Sequence, residues 1–256
     1  MSTSNRILFA AAILLLSPGI GRTASAGGGE QQVCNANADY ALGVEDYAAA
    51  IRLHTEVVRK HPADALAHYH LGFAEGMIGD TRAEAIEYQR AATLGLRNWD
   101  LFLNLGLAQL EDGDLEGATT SLRQSVLLGE NHSESHYNLA LAYQRRGMLA
   151  NAESETLASM RLNPQEPDTR NLLGVIYAQE GKTAGAWMVW RELAREEPDY
   201  GPARKNLKLL GSQNEVVLGE TAAVVLPPAA AVKTTEDQPK PSSPMSEPEL
   251  AMVAHK

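Results

Sequence analysis

Three glycines, Gly72, Gly106 and Gly174, stand at intervals that are multiples of 34 residues, and Ala140 fills the missing rung. A leucine precedes each of the four: Leu71, Leu105, Leu139 and Leu173. A second series, Gly79, Gly113, Gly147 and Gly181, follows seven residues behind the first. Ala118, Ala152 and Ala186, with Ala50 in the same phase, make a third, and Pro62, Pro164 and Pro198 make a fourth. Four ladders of one period exclude coincidence. Self-similarity at this period means one supersecondary unit stacked on itself, so the length of the chain counts repeats and not independent globular domains.

Within a unit, apolar residues recur at three- and four-residue spacing on both sides of the second glycine, as in Leu101, Leu105 and Ala108, then Leu115, Ala118 and Leu122. That periodicity predicts two helices per unit. Aromatic residues are 5% of the chain and apolar residues 44%, a balance suited to closely packed helices and not to a β-sandwich. Gly72, Gly106 and Gly174 fall inside the first helix, where glycine costs about 1 kcal/mol against alanine, so they predict close approach of a partner helix. The second glycine series suits the end of the first helix, and Asp80 and Asp114 directly after are placed to cap the second. Pro62, Pro164 and Pro198 then stop the second helix. The ladders have gaps: Ala38 replaces the first glycine in the first unit, Glu84 takes the alanine place in the second, and Leu96 and Glu130 stand where a closing proline is expected.

The segment from Tyr137 through Leu139, Ala140 and Tyr143 to Gly147, and that from Leu172 through Gly174 and Tyr177 to Gly181, resemble the tetratricopeptide repeat family, whose unit has this length and these residues. The resemblance implies an all-α, right-handed α-solenoid of about five 34-residue helix-turn-helix repeats over residues 31–211, closed by a capping helix. A short segment from Pro202 to Leu210, carrying Arg204, Lys205 and Lys208, suits the solvated outer face of that cap, with Gly211 ending it.

The ends read differently. Arg6, the apolar run Ile7 to Leu16, the Ser17-Pro18-Gly19 breaker and Ala24-Ser25-Ala26 have the layout of a secretory signal peptide over residues 1–26. Roughly ten apolar residues rise about 15 Å as a helix, half of a bilayer core, so no integral span of the mature chain is expected. This predicts export to the periplasm or the exterior. Gln31-Gln32-Val33 before Cys34 lacks the small residue that bacterial lipoprotein processing uses, which argues against a lipid anchor. Residues 212–256 hold six prolines and no aromatic residue, a composition for a disordered Pro/Ala-rich tail.

Catalytic chemistry is not indicated. Gly181-Lys182-Thr183 lacks the glycine spacing of a phosphate-binding loop, and the pairs His68 with His70 and His132 with His136 match no known zinc signature. His68 and His136 stand two periods apart and are expected to share a structural place. Cys34 has no base nearby in sequence, and a single cysteine excludes an internal disulfide. No catalytic residue, metal site or cofactor is assigned. A formal charge of −10 argues against nucleic acid as a partner.

What remains is a surface. By the family resemblance, the first helices line a concave groove through Tyr69, Phe73 and Met77, then Leu103, Leu107 and Leu110, then Tyr137, Leu141, Gln144 and Arg145, then Asn171, Val175 and Ala178. Asn104, Asn138 and Asn171 are available there to hydrogen-bond a peptide backbone. Trp187 and Trp190, on the second helix of the fifth unit, are expected in the seam between units. The leading expectation is a non-enzymatic scaffold or assembly adaptor that binds a protein or peptide in this groove. The alternative is a structural protein that self-associates into homo-oligomers, and a third reading has the Pro/Ala tail occupying the groove of its own chain.

Overall fold

The computed structural model describes residues 35–214, and the predicted signal peptide, Cys34 and nearly all of the Pro/Ala tail lie outside them. Among the described residues there are eleven α-helices and no strand. Five pairs follow one another: α1 (Ala36–Gly43) with α2 (Tyr47–Lys60), α3 (Ala65–Met77) with α4 (Thr81–Thr93), α5 (Trp99–Asp112) with α6 (Leu115–Leu128), α7 (Ser133–Arg145) with α8 (Leu149–Leu162), and α9 (Pro167–Gln179) with α10 (Thr183–Glu196). A closing α11 (Gly201–Asn214) runs on through Gly211, which the sequence suggested as its end. From α1 to α10 each helix packs on the next, and α7 also touches α5 and α9. This is an α-solenoid of five units and a cap. None of the described helices is long and apolar enough to cross a membrane.

The glycine ladders have the physical causes their positions imply. A Cβ on Gly106 would stand 2.5 Å from Leu122 Cγ, and one on Gly174 would collide with the Trp190 indole, so the absent side chain is what lets the second helix close on the first. At the turn ladder Gly113 has φ +87°, a left-handed conformation that ends α5. The first unit has Glu45 on that same rung, held at φ +60°. Where the second unit lacks its proline, Gly95 at φ +100° ends α4 instead, with the Leu96 amide donating to the Ala91 carbonyl at 3.1 Å.

Capping divides the stack. Asp46, Asp80 and Asp114 stand one period apart and each accepts a backbone N–H of the second helix it precedes, from Ala49, Ala83 and Gly117. The next two rungs are Met148 and Lys182, and α8 and α10 begin without a side-chain cap.

The core is a succession of clusters, each made by adjoining units. Leu101 and Leu105 pack with Tyr69 and Tyr88, Leu139 and Tyr143 with Leu110 and Leu122, and Ala203 with Trp190 and Leu193. Two seams are polar at their centres. Ser125 Oγ donates to the Trp99 carbonyl at 2.8 Å and lies 2.7 Å from Ser135 Oγ. One period on, Ser159 Oγ donates to the Ser133 carbonyl at 2.9 Å and lies 3.4 Å from Thr169 Oγ1. Each buried hydroxyl is thereby satisfied, as burial requires.

Candidate functional site

One repeat position on four successive first helices carries Phe73, Leu107, Leu141 and Val175. All four are half-buried: one side of each packs against the apolar clusters beneath. Met77 and Tyr137 are half-buried as well. Burial, with Asp168 and Glu166 nearby, pushes the Tyr137 phenol up to about 12.

Three other residues expected on the groove are withdrawn from it. Tyr69, Leu103 and Leu110 are exposed by only 5%, 8% and 5%. The cause is that a first helix packs on its own second helix and on the second helix of the unit before, and meets the unit that follows as well. Tyr69 meets the Tyr88 ring at 5.6 Å, and its hydroxyl donates to Asp100 Oδ2 of the next unit at 2.9 Å. Burial and that carboxylate hold its phenol well above the ordinary range. Leu103 and Leu110 belong to the cluster that includes Leu139 and Tyr143.

The polar residues of the row are engaged within the protein. Asn138 Nδ2 donates to the Glu134 carbonyl at 2.9 Å, one turn back in its own helix. Asn171 Oδ1 accepts from Asn206 Nδ2 at 2.9 Å, and Asn104 hydrogen-bonds the Tyr69 side chain. Arg145, exposed, donates from Nη1 to the Leu110 carbonyl at 3.1 Å, and Gln144 Nε2 donates to Gln179 Oε1 at 3.0 Å. The links Arg145 to Leu110, Gln144 to Gln179 and Asn206 to Asn171 each span 35 residues, so they brace one first helix against its neighbour. An apolar row flanked by braced amides can hold a hydrophobic segment; it presents no aligned nucleophile and base.

The histidines sort into two kinds. His68 Nδ1 lies 2.5 Å from Glu87 Oε2 and Nε2 lies 3.2 Å from the Pro62 carbonyl; His136 repeats this with Glu155 at 2.6 Å and the Glu130 carbonyl at 3.2 Å. The shared place read from their spacing is a structural clasp. His132 stacks on Trp99 with ring centroids 3.6 Å apart. His70 instead turns toward Asp39 and His54, a grouping that sequence spacing did not suggest. Its signal was present in the repeat phase: His54 stands on the rung held elsewhere by Tyr88, Leu122, Thr156 and Trp190.

Two further expectations resolve. Lys182, from the discarded phosphate-loop match, pairs with Glu153 and Glu180 at 2.9 Å each. Trp190 is buried in its seam, whereas Trp187 is 40% exposed, one position round the helix from the core-facing Ala186, with the Arg191 guanidinium 4.4 Å from its ring centroid.

The comparisons with known proteins agree with this geometry. YrrB, described as a tetratricopeptide repeat protein with an unusual peptide-binding site, aligns with a TM-score of 0.64 at 23% identity, over 67% of this chain and 88% of that one. MamA aligns with a TM-score of 0.61 at 18% identity over 65% and 97% of the two chains. A tetratricopeptide repeat protein from Parabacteroides merdae gives 0.62 at 18% over 69% and 70%. At these identities the likeness is one of fold. No curated protein sequence matches the chain. The tetratricopeptide repeat family model matches residues 35–97 and 103–167, half of the sequence, in register with the ladders and helix pairs described above. The chain belongs to the tetratricopeptide repeat family.

Proposed function

We propose that this protein is a non-catalytic scaffold, exported to a bacterial cell envelope, that binds a protein partner by holding an apolar segment along its first helices. The observation that carries the reading is the row Phe73, Leu107, Leu141 and Val175. These side chains are only half covered, each packing one side on the apolar cluster beneath it and leaving the other open. A row of partly exposed apolar side chains on rigid, mutually braced helices is a pre-organised binding surface, which reduces the ordering cost of association. The fold of YrrB, with its peptide-binding site, supports the same use. Export rests on residues 1–26.

The test is recovery of cross-linked partners from the native envelope with the wild-type chain and with Leu107→Asp combined with Leu141→Asp. Partner recovery is expected to be lost while the far-ultraviolet helical signal is retained. The milder pair Leu107→Ala and Leu141→Ala is expected to reduce recovery in part. Unchanged recovery with a folded Asp variant overturns the groove.

A further inference from the structure

Three side chains from three helices meet at the N-terminal end of the stack: Asp39 of α1, His54 of α2 and His70 of α3. Asp39 Oδ1 lies 3.0 Å from His70 Nδ1 and 3.6 Å from His54 Nε2, and the three donor atoms all lie within 4.8 Å of one another. Two ligands on a tetrahedral zinc ion, each about 2.0–2.1 Å from the metal, are separated by about 3.3 Å. The two measured separations bracket that figure. The imidazoles approach edge to face with centroids 5.2 Å apart and do not stack, which leaves their donor nitrogens within 4.8 Å of each other.

The repeat supplies a second observation. Asp39 stands on the rung that holds Phe73, Leu107, Leu141 and Val175 in the other units, and His54 on the rung of Tyr88, Leu122, Thr156 and Trp190. His54 is 1% exposed, and neither of its ring nitrogens has a hydrogen-bond partner. A fully buried imidazole with neither nitrogen hydrogen-bonded, on a position that elsewhere takes Leu, Tyr, Trp or a threonine whose hydroxyl donates to the Ala152 carbonyl, requires a partner. His68 and His136, by contrast, have both nitrogens engaged by protein oxygens.

We propose that Asp39, His54 and His70 bind one divalent transition-metal ion of the zinc class, which staples α1 to α2 and α3. Two imidazoles and one carboxylate suit such an ion and not calcium or magnesium, which take oxygen ligands. The staple has a structural task. An isolated helix shorter than about 12–15 residues is marginal in water, and α1 has eight. Among the described residues it is the first helix, with Ala38, Ala41 and Leu42 as its buried residues. A metal bridging three helices would tie this short helix to the two that follow it.

The experiment titrates Zn2+ alone into the chelator-stripped full chain by calorimetry, with Co2+ absorption reporting the geometry. Saturable binding of one equivalent, a raised thermal midpoint and tetrahedral Co2+ bands are expected. Asp39→Asn and His70→Gln are each expected to weaken affinity by more than the roughly 10- to 100-fold that follows loss of a residue merely supporting a ligand. His136→Gln is expected to change nothing. Should His54→Gln fail to fold, His70→Gln, at a side chain still partly open to solvent, keeps the test decisive. Absence of stoichiometric binding overturns the proposal, as does binding that survives Asp39→Asn and His70→Gln or falls equally in His136→Gln.

Discussion

Ala38 with His54 in the first unit, and Gly174 with Trp190 in the fifth, occupy the same two repeat positions and are packed on opposite terms. In the fifth, the missing side chain of Gly174 admits an indole against the helix backbone, and its Nε1 donates to the Asn171 carbonyl at 3.3 Å. In the first, Ala38 and His54 are buried to the same degree, but the imidazole has no hydrogen bond at either nitrogen. Burial at this seat is therefore a property of the backbone arrangement, whatever occupies it. What varies is whether the occupant's polar atoms are satisfied within the seat, and that variation marks out the unit where the polar chemistry lies.

The largest expected effect sets the two seats apart by pH. Burial, with His70 adding, lowers the His54 pKa from 6.5 to about 4, against the opposing pull of Asp39 and Asp64. The unfolded chain then takes up a proton that the fold refuses, so this contribution is fully present above pH 6.5 and is lost as the pH falls toward 4. Its size is about 3 kcal/mol. Urea unfolding of the chelator-treated protein across this window, compared with His54→Leu, checks it; equal acid sensitivity in the two breaks the comparison.

Next comes steric closure. Gly174→Ala drives a methyl group into Trp190 and is expected to cost about 2 kcal/mol despite the better helix propensity of alanine. The reverse change at the equivalent place, Ala38→Gly, is expected to cost about 1 kcal/mol through backbone freedom alone. Denaturation midpoints of the pair measure the difference, and a neutral Gly174→Ala would show that the seats are interchangeable.

The smallest effect concerns the caps. Asp114→Ala is expected to lower stability by about 1 kcal/mol, whereas Met148→Asp, restoring the acid on the next rung, is expected to add up to that amount. Opposite signs in thermal midpoints are the result that supports a real division of the stack.

Much of this fold could be read from residue spacing because the repeat makes each position report four or five times. The helix-breaking and close-packing roles of the two glycine series followed from phase and the helical spacing around them, and the shared place of His68 and His136 from their two-period separation, whereas the clasp they form there did not. The groove was less legible. Tyr69, Leu103 and Leu110 are apolar at first-helix positions, as Phe73 and Leu107 are, and phase carries no measure of how far the next unit overlaps them. Trp187 and Trp190 differ by three residues, yet Arg191 lies over one in the open while Gly174 seats the other. The convergence of Asp39, His54 and His70 depends on three helices meeting, and intervals of 15 and 16 residues match no ligand motif.

Because each helix from α1 to α10 packs chiefly on the one before and the one after, the stabilising contacts join residues close in sequence. Loop-closure entropy is correspondingly small at every step. The stack is thus able to grow one pair at a time, each completed pair of helices serving as the surface on which the next one settles.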